Sequence, residues 1–228
     1  MEVIVIATQK GGTGKTTTAH ALGAGLIWRA NRVLFIDLDP QGNLSYILRA
    51  ELDGPTSYEL LTGEATAKEA IRHKPGGDII PSSPALSGAN LDVNKVGREY
   101  RLKEALEPIR NEYDYIVIDT PPALSILTVS ALTASDSVII PAQADIFSLQ
   151  GISQLYDTIQ AIRQHSNPSL SIKGILLTRH NTRAILSRDL TKVMSNMAQQ
   201  MGTRVYDAVI REGIVIKEAQ ASQQDIYS

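Results

Sequence analysis

The chain has 228 residues, 43 % of them apolar, and no cysteine. That length suits one sizeable α/β domain or at most two small ones, and the lack of cysteine excludes disulfides, thiolate zinc sites and iron–sulfur clusters. The net charge of −2 argues weakly against a nucleic-acid binder, no apolar run approaches a membrane span, and the first strand begins at once, leaving no room for a signal peptide.

Residues 2–7 read as a buried strand, with no polar residue from Val3 to Ala7. Gln9-Lys10-Gly11-Gly12-Thr13-Gly14-Lys15-Thr16-Thr17 follows, and then a helix pattern from about Thr17 to Arg29. Ala19, Leu22, Gly23, Leu26 and Ile27 share one face of that helix, with Trp28 expected to pack. Strand, glycine loop and helix form the context of a phosphate-binding loop. Glycines let backbone N–H groups turn toward phosphate, and the positive end of the helix adds to the field there. Lys15 is placed to reach β- and γ-phosphates and the Thr16 hydroxyl to ligate Mg²⁺. Gln9 stands where the common pattern has its first glycine, and Lys10 adds a second lysine near the start of the loop.

Val33 to Ile36 reads as a second buried strand running into Asp37-Leu38-Asp39-Pro40-Gln41-Gly42-Asn43. Asp37 and Asp39, two apart in an extended chain, face the same way. At the C-terminal edge of a parallel sheet they sit beside the phosphate loop, where two carboxylates are unfavourable unless they serve a metal or a water. Residues 44–75 alternate short helical patterns with turns such as Asp53-Gly54-Pro55 and Thr62-Gly63. Asp78 to Pro81 is a short strand and Leu102 to Ile109 a helix, with no site between them. Tyr115-Ile116-Val117-Ile118-Asp119 is an apolar strand ending in an acid, which places Asp119 to hold Mg²⁺ through water, and Pro121 and Pro122 stiffen its exit.

Leu124 to Ala134 and Leu149 to Arg163 are helix patterns, separated by a strand from Ser137 to Pro141. Gly174 to Thr178 is a further strand, Ile185 to Met201 a helix with Arg188 and Lys192 on one exposed face, and Val205 to Ile210 a last strand. Charge is uneven: residues 163–228 carry nine Lys/Arg against five Asp/Glu, whereas residues 1–162 carry thirteen against nineteen. The basic third could hold a phosphate-backbone contact surface.

Lys10 to Thr17 resembles the deviant Walker A motif of the ParA/MinD family of ATPases, and Asp37 to Gly42 resembles the Asp-x-Asp-Pro-Gln-Gly motif of its ParA branch. Similarity to the short, Soj-like partition ATPases runs from about Val3 to Ala219, including Leu132 to Ser137 and Gly174 to Thr178. The resemblance implies an α/β, single-domain three-layer sandwich of P-loop NTPase type over residues 1–228, with a mostly parallel sheet. It implies ATP and Mg²⁺, with the nucleotide bound by Lys10, Gly11, Gly12, Thr13, Gly14, Lys15, Thr16 and Thr17. Thr16, Asp37 and Asp119 then serve the metal, Asp39 orients or deprotonates the attacking water, and Lys10 reaches across a dimer interface to the partner's nucleotide.

The implied partners are a second copy of the chain in the ATP state, DNA without sequence preference, and a ParB-type centromere-binding protein. The implied location is the bacterial cytoplasm at the nucleoid, with no membrane contact. Arg183 matches an arginine tied to DNA contact in the family. Val215 stands where the family has a second such arginine, leaving Arg211 and Lys217 as the nearby cations able to compensate. Family members also continue into a last helix beyond the position of Ser228, and the longer plasmid relatives carry an N-terminal helix-turn-helix for operator binding that this sequence does not include. Two other readings share the loop: a MinD-like membrane-cycling ATPase, which needs a basic amphipathic C-terminal helix, and a metabolic ATP-dependent ligase, which needs a pocket for a small carboxylated substrate.

Overall fold

The computed structural model describes residues 1–88, 97–180, 185–224 and 227, without the side chains of 185–188 and 217. Seven strands form one sheet in the order β3-β2-β4-β1-β5-β6-β7. They are β1 (Glu2–Ile6), β2 (Val33–Asp37), β3 (Asp78–Ile80), β4 (Tyr115–Asp119), β5 (Ser137–Ala142), β6 (Ser171–Thr178) and β7 (Val205–Ile210). Every pairing between these strands is parallel. Parallel neighbours need crossovers, and the helices that supply them cover both faces.

The strands therefore bury both sets of alternating side chains. Val3, Val5, Leu34 and Ile36 point into one apolar layer, and Ile4, Ile6, Val33 and Phe35 into the other. The first layer packs α3 (Ser57–Thr62), α5 (Arg101–Leu106), α6 (Ile126–Ala134), α7 (Ile146–His165) and α8 (Ile185–Gln200). The second packs α1 (Lys15–Trp28) and α2 (Asn43–Ile47). Capping boxes start α3 at Thr56 with Glu59, and the short α4 (Ala67–Ala70) at Thr66 with Glu69.

Element ends depart from expectation for local reasons. The helix expected over Leu102–Ile109 is α-helical only to Leu106 and tightens to a 3₁₀ turn at Glu107–Ile109, where Pro108 has no N–H to donate. Helix α7 begins three residues earlier than expected, because Asp145 caps it by accepting from the Ser148 N–H. The segment after β7 forms α9 (Ile214–Ala221), which the sequence pattern did not single out. Trp28 does not pack: it is 77 % exposed at the end of α1.

Gly23 sets how closely α1 approaches the sheet. A Cβ there would lie 2.1 Å from the ring of Phe35, itself fully buried on β2. That close approach seats the middle of α1 on the middle of β2. Gly23→Ala gains about 1 kcal/mol of helix propensity but forces an overlap at the upper end of the ~1–3 kcal/mol that overpacking costs. A net loss of stability, read as a lower urea midpoint, is expected, and an unchanged or higher midpoint would show that Phe35 yields freely.

Candidate nucleotide site

The chain leaves β1 at Ile6 and enters α1 at Lys15. Gly12 and Gly14 hold φ values of 73° and 83°, the left-handed region that only glycine enters without strain. No side chain caps α1 and no acid lies in its first turn. Its first N–H groups therefore face a cavity of about 480 Å³ lined by Gly11, Gly12, Gly14, Lys15, Thr16 and Thr17. Two contacts brace the loop from behind: Thr178 Oγ1 donates to the Thr13 carbonyl at 2.7 Å and Gln143 Nε2 to the Gly12 carbonyl at 3.0 Å.

Lys15 is 7 % exposed, and its Nζ meets only the Lys10 carbonyl, at 3.4 Å, among the hydrogen bonds of the described residues. Burial pushes its pKa down, while Asp119 and then Asp39 pull it back up. Thr16 Oγ1 donates to Asp119 Oδ2 at 2.6 Å. Asp119 is fully buried, and its Oδ1 has no donor. Asp37 stands beside it as its register partner on β2. Burial, and then the mutual repulsion of the two carboxylates, raises the pKa of Asp119 well above its ordinary value. Burial raises that of Asp37 as well, against its hydrogen bonds.

The two acids of the β2 exit differ in use. Asp37 is saturated: Oδ1 accepts from the Asp39 N–H at 3.1 Å, and Oδ2 from the Ser45 N–H and hydroxyl at 2.8 and 2.7 Å. Asp39, two residues past it, lines the cavity opposite the glycine loop. Pro122 lines it too, placing the exit of β4 at the same ligand space.

Lys10 does not line the cavity. Its ammonium pairs with Asp145 at 2.6 Å and lies 5.9 Å from the centre of the Phe147 ring. Asp145 is partly buried, yet the Lys10 ammonium and the Ser148 N–H hold its carboxyl below the usual range. Ile146 and Phe147 beside it are 69 % and 71 % exposed.

Of the DNA candidates, Arg211 is exposed, and Arg183 lies outside the described residues, as does the side chain of Lys217 on α9. Ile214 and Val215, also exposed, occupy the first turn of that helix. Sequence reasoning missed Ser45, Asp145, Gln143 and Gln220. Only Asp145 had a local signal, an acid directly before a helix; Ser45 lies eight residues past Asp37, and Gln143 and Gln220 reach the loop from distant parts of the chain.

A family profile described as an AAA domain (AAA_31) matches residues 1–172. The chromosome partitioning protein ParA of Caulobacter vibrioides is 43 % identical over 227 residues, covering 96 % of this chain and 84 % of that one. The chain belongs to the ParA/Soj family of P-loop ATPases. Within it, the sporulation initiation inhibitor protein Soj of Bacillus subtilis is 40 % identical, over 96 % of this chain and 87 % of its own. Among solved structures, apo McdA of Cyanothece superposes with a TM-score of 0.91 at 30 % identity, covering all of this chain and 92 % of that one. A structure named for cobyrinic acid a,c-diamide synthase of Mycobacterium smegmatis, solved with an ATP analogue and magnesium, gives 0.81 at 36 % identity, over 86 % and 82 %.

The donor set suits a polyphosphate with a hydrated divalent cation. An uncapped helix start and a buried ammonium await anionic oxygens, and the Asp119 oxygen without a donor awaits a cation or its water. Among the described residues no three His, Cys, Asp or Glu cluster to hold a metal alone. Mg²⁺ keeps most of its waters and shares phosphate oxygens, so Thr16 and Asp119 beside a polyphosphate could hold it. Without ligand, the buried Asp119 charge is a burden on the fold. A raised folded-state pKa means that its stabilising share is complete below about pH 4, the unfolded value, and fades as pH climbs toward the folded one. Asp119→Asn should flatten that decline and raise the ligand-free Tm at pH 7 by roughly 2–8 °C, while abolishing Mg²⁺-dependent nucleotide binding. A lower Tm in differential scanning calorimetry would mean that the charge is already balanced.

Proposed function

We propose that this chain is an ATP-hydrolysing DNA-partition protein of ParA type, acting as an ATP-dependent sandwich dimer that binds DNA without sequence preference and is stimulated by a ParB-type partner. One observation carries the reading. The loop has two lysines, and only Lys15 serves its own cavity; Lys10 is held at the rim, beside exposed Ile146 and Phe147. A cation at the rim of one site, next to exposed apolar side chains, suits a second copy of the chain closing over it.

The roles follow from position. Lys15 and the first N–H groups of α1 would neutralise the β- and γ-phosphates of ATP. Mg²⁺, when bound, would supply further neutralisation from a place held by Thr16 and, through water, Asp119. Asp37 holds the β2 exit through Asp39 and Ser45, which makes it a support to that shell. Asp39, lining the cavity, orients the attacking water and takes its proton. Lys10 would leave Asp145 for the partner's phosphates, neutralising charge in trans as an arginine finger does. DNA contact falls to the basic C-terminal third, through Arg183, Arg211 and Lys217, and should weaken steeply with salt. The described residues contain no helix long and apolar enough to cross a membrane.

A second reading is a metabolic ATP-dependent ligase, favoured by the likeness to the structure named for cobyrinic acid a,c-diamide synthase. Substrate dependence separates the two. The Asp39→Ala variant, unable to activate water, should accumulate the ATP dimer and bind DNA of any sequence with ATP but not ADP. DNA binding indifferent to nucleotide, or turnover that requires a small carboxylated substrate, would overturn the partition reading.

Asp145→Asn retains an acceptor for the Ser148 N–H but releases Lys10. An ion pair of this exposure is worth ~0.2–1 kcal/mol, and a dimer gives up two of them, so ATP-dependent dimerisation measured by sedimentation should tighten by about twofold to thirtyfold. Lys10→Ala should leave ATP binding by the single chain in place and abolish hydrolysis. Wild-type turnover by Lys10→Ala would remove the role in trans.

A further inference from the structure

The nucleotide cavity continues into a second one of about 80 Å³, and four residues line both: Gly14, Thr17, Arg179 and Gln220. Gln220 is the one among them that comes from α9. Its Nε2 donates to Thr17 Oγ1 at 2.9 Å, across 203 positions of sequence. The far end of α9 is fastened separately: Arg49 donates to the Ser222 carbonyl at 3.1 Å, and Gln223 Nε2 to the Tyr46 carbonyl at 2.7 Å. The helix is thus laid across the open side of the glycine loop, pinned to the segment around α2 at one point and to the loop itself at the other.

The two cavities differ in chemistry. The larger holds Lys15, Thr16 and Asp39, the groups suited to terminal phosphates, a cation and a water. The smaller has none of these and instead has Ile210, Arg211, Glu212, Gly213 and Ile216 among its lining. With the loop read as an ATP site, a nucleotide whose γ-phosphate lies at Lys15 would run its sugar and base past Thr17, into the space that Gln220 borders. A carboxamide offers a donor and an acceptor on one rigid plane, which matches ribose hydroxyls that both donate and accept.

We propose that Gln220 is a nucleoside-side ligand contact, engaging the ribose of the bound nucleotide and so fastening α9 to it. This rests on the reading of the glycine loop as an ATP site. The consequence is directional: the phosphates bind the loop with or without Gln220, whereas the sugar and base depend on it. Helix α9, whose first turn exposes Ile214 and Val215, then becomes more protected when nucleotide binds than when phosphate alone does.

Titration calorimetry with Mg²⁺ and either ATP or inorganic tripolyphosphate tests the idea on the full chain, with Gln220→Ala and Gln220→Met. The methionine keeps the volume and loses the amide. Both variants should bind ATP about threefold to tenfold more weakly, the equivalent of one hydrogen bond, and bind tripolyphosphate as the unaltered protein does. Hydrogen exchange should show α9 protected by ATP in the unaltered protein and not in either variant. Equal weakening for both ligands would mean that Gln220 acts only through Thr17 and the loop, and would overturn the proposal. So would ATP binding unchanged in both variants, or lost in alanine and restored in methionine. If the unaltered protein binds neither ligand, the ATP reading of the loop itself falls and this assignment with it.

Discussion

The arrangement of this molecule turns on charges that its fold buries without fully balancing. Lys15 is held at 7 % exposure, and Asp119 and Asp37 are fully buried as neighbours on adjacent strands. In a low-dielectric interior such groups tolerate solitude poorly. Asp37 is satisfied by Ser45 and by the backbone at Asp39, but one Asp119 oxygen is left without a donor and the start of α1 without a capping side chain. These deficits lie on the same side of the sheet and have opposite signs. A polyanion with its cation corrects all of them together, which is why the ligand-free fold is strained in the direction of binding.

The sheet makes that concentration of charge possible. Strands β1 and β4 are neighbours whose connections part at their C-terminal ends: β1 leaves through α1 on one face toward β2, and β4 through α6 on the other toward β5. A crevice opens there in parallel α/β sheets. The exits of β1, β2 and β4 deliver the glycine loop, Asp39 and Asp119 to that crevice, and the exit of β5 delivers Asp145 and the rim cation it holds. Strands buried on both faces can present polar groups only at their ends, so the apolar body of each strand and the acid that closes it are two parts of one solution. Gly23, midway along α1, lets that helix settle onto Phe35 and so onto the sheet.

Much of this was legible in the sequence because it is local. The glycine loop, the Asp-x-Asp turn and the strand closing on Asp119 each carry their signal within ten residues, and the strands around them read correctly from unbroken apolar runs. What escaped was long-range. Nothing near Gln143 shows that it will brace the Gly12 carbonyl, and nothing near Gln220 shows that it will reach Thr17. Helix α9 is short, and its first turn is exposed and apolar, so its pattern did not stand out. Trp28 was misjudged because a large apolar residue on a helix normally packs, whereas here it ends the helix beside an open cleft. Boundary errors came from residues acting outside their own element: Asp145 capping α7, Pro108 ending α5.

The weakest feature for a DNA-binding role, a net charge of −2 with Val215 in place of a family arginine, also constrains how such a role could work. In the proposed cycle a single subunit would bring one set of cations to the phosphate backbone, and each released counterion adds only a modest increment. Two subunits held side by side convert the second set of contacts into an intramolecular event, and affinity rises without any new contact being made. Under the proposed cycle the nucleotide therefore need not reshape the DNA-facing surface at all. Bringing Lys10 from Asp145 to the partner's phosphates, and so holding the two copies together, is sufficient to switch DNA binding on. A chain of low intrinsic affinity suits that switch better than a strongly basic one, because its monomer lets go.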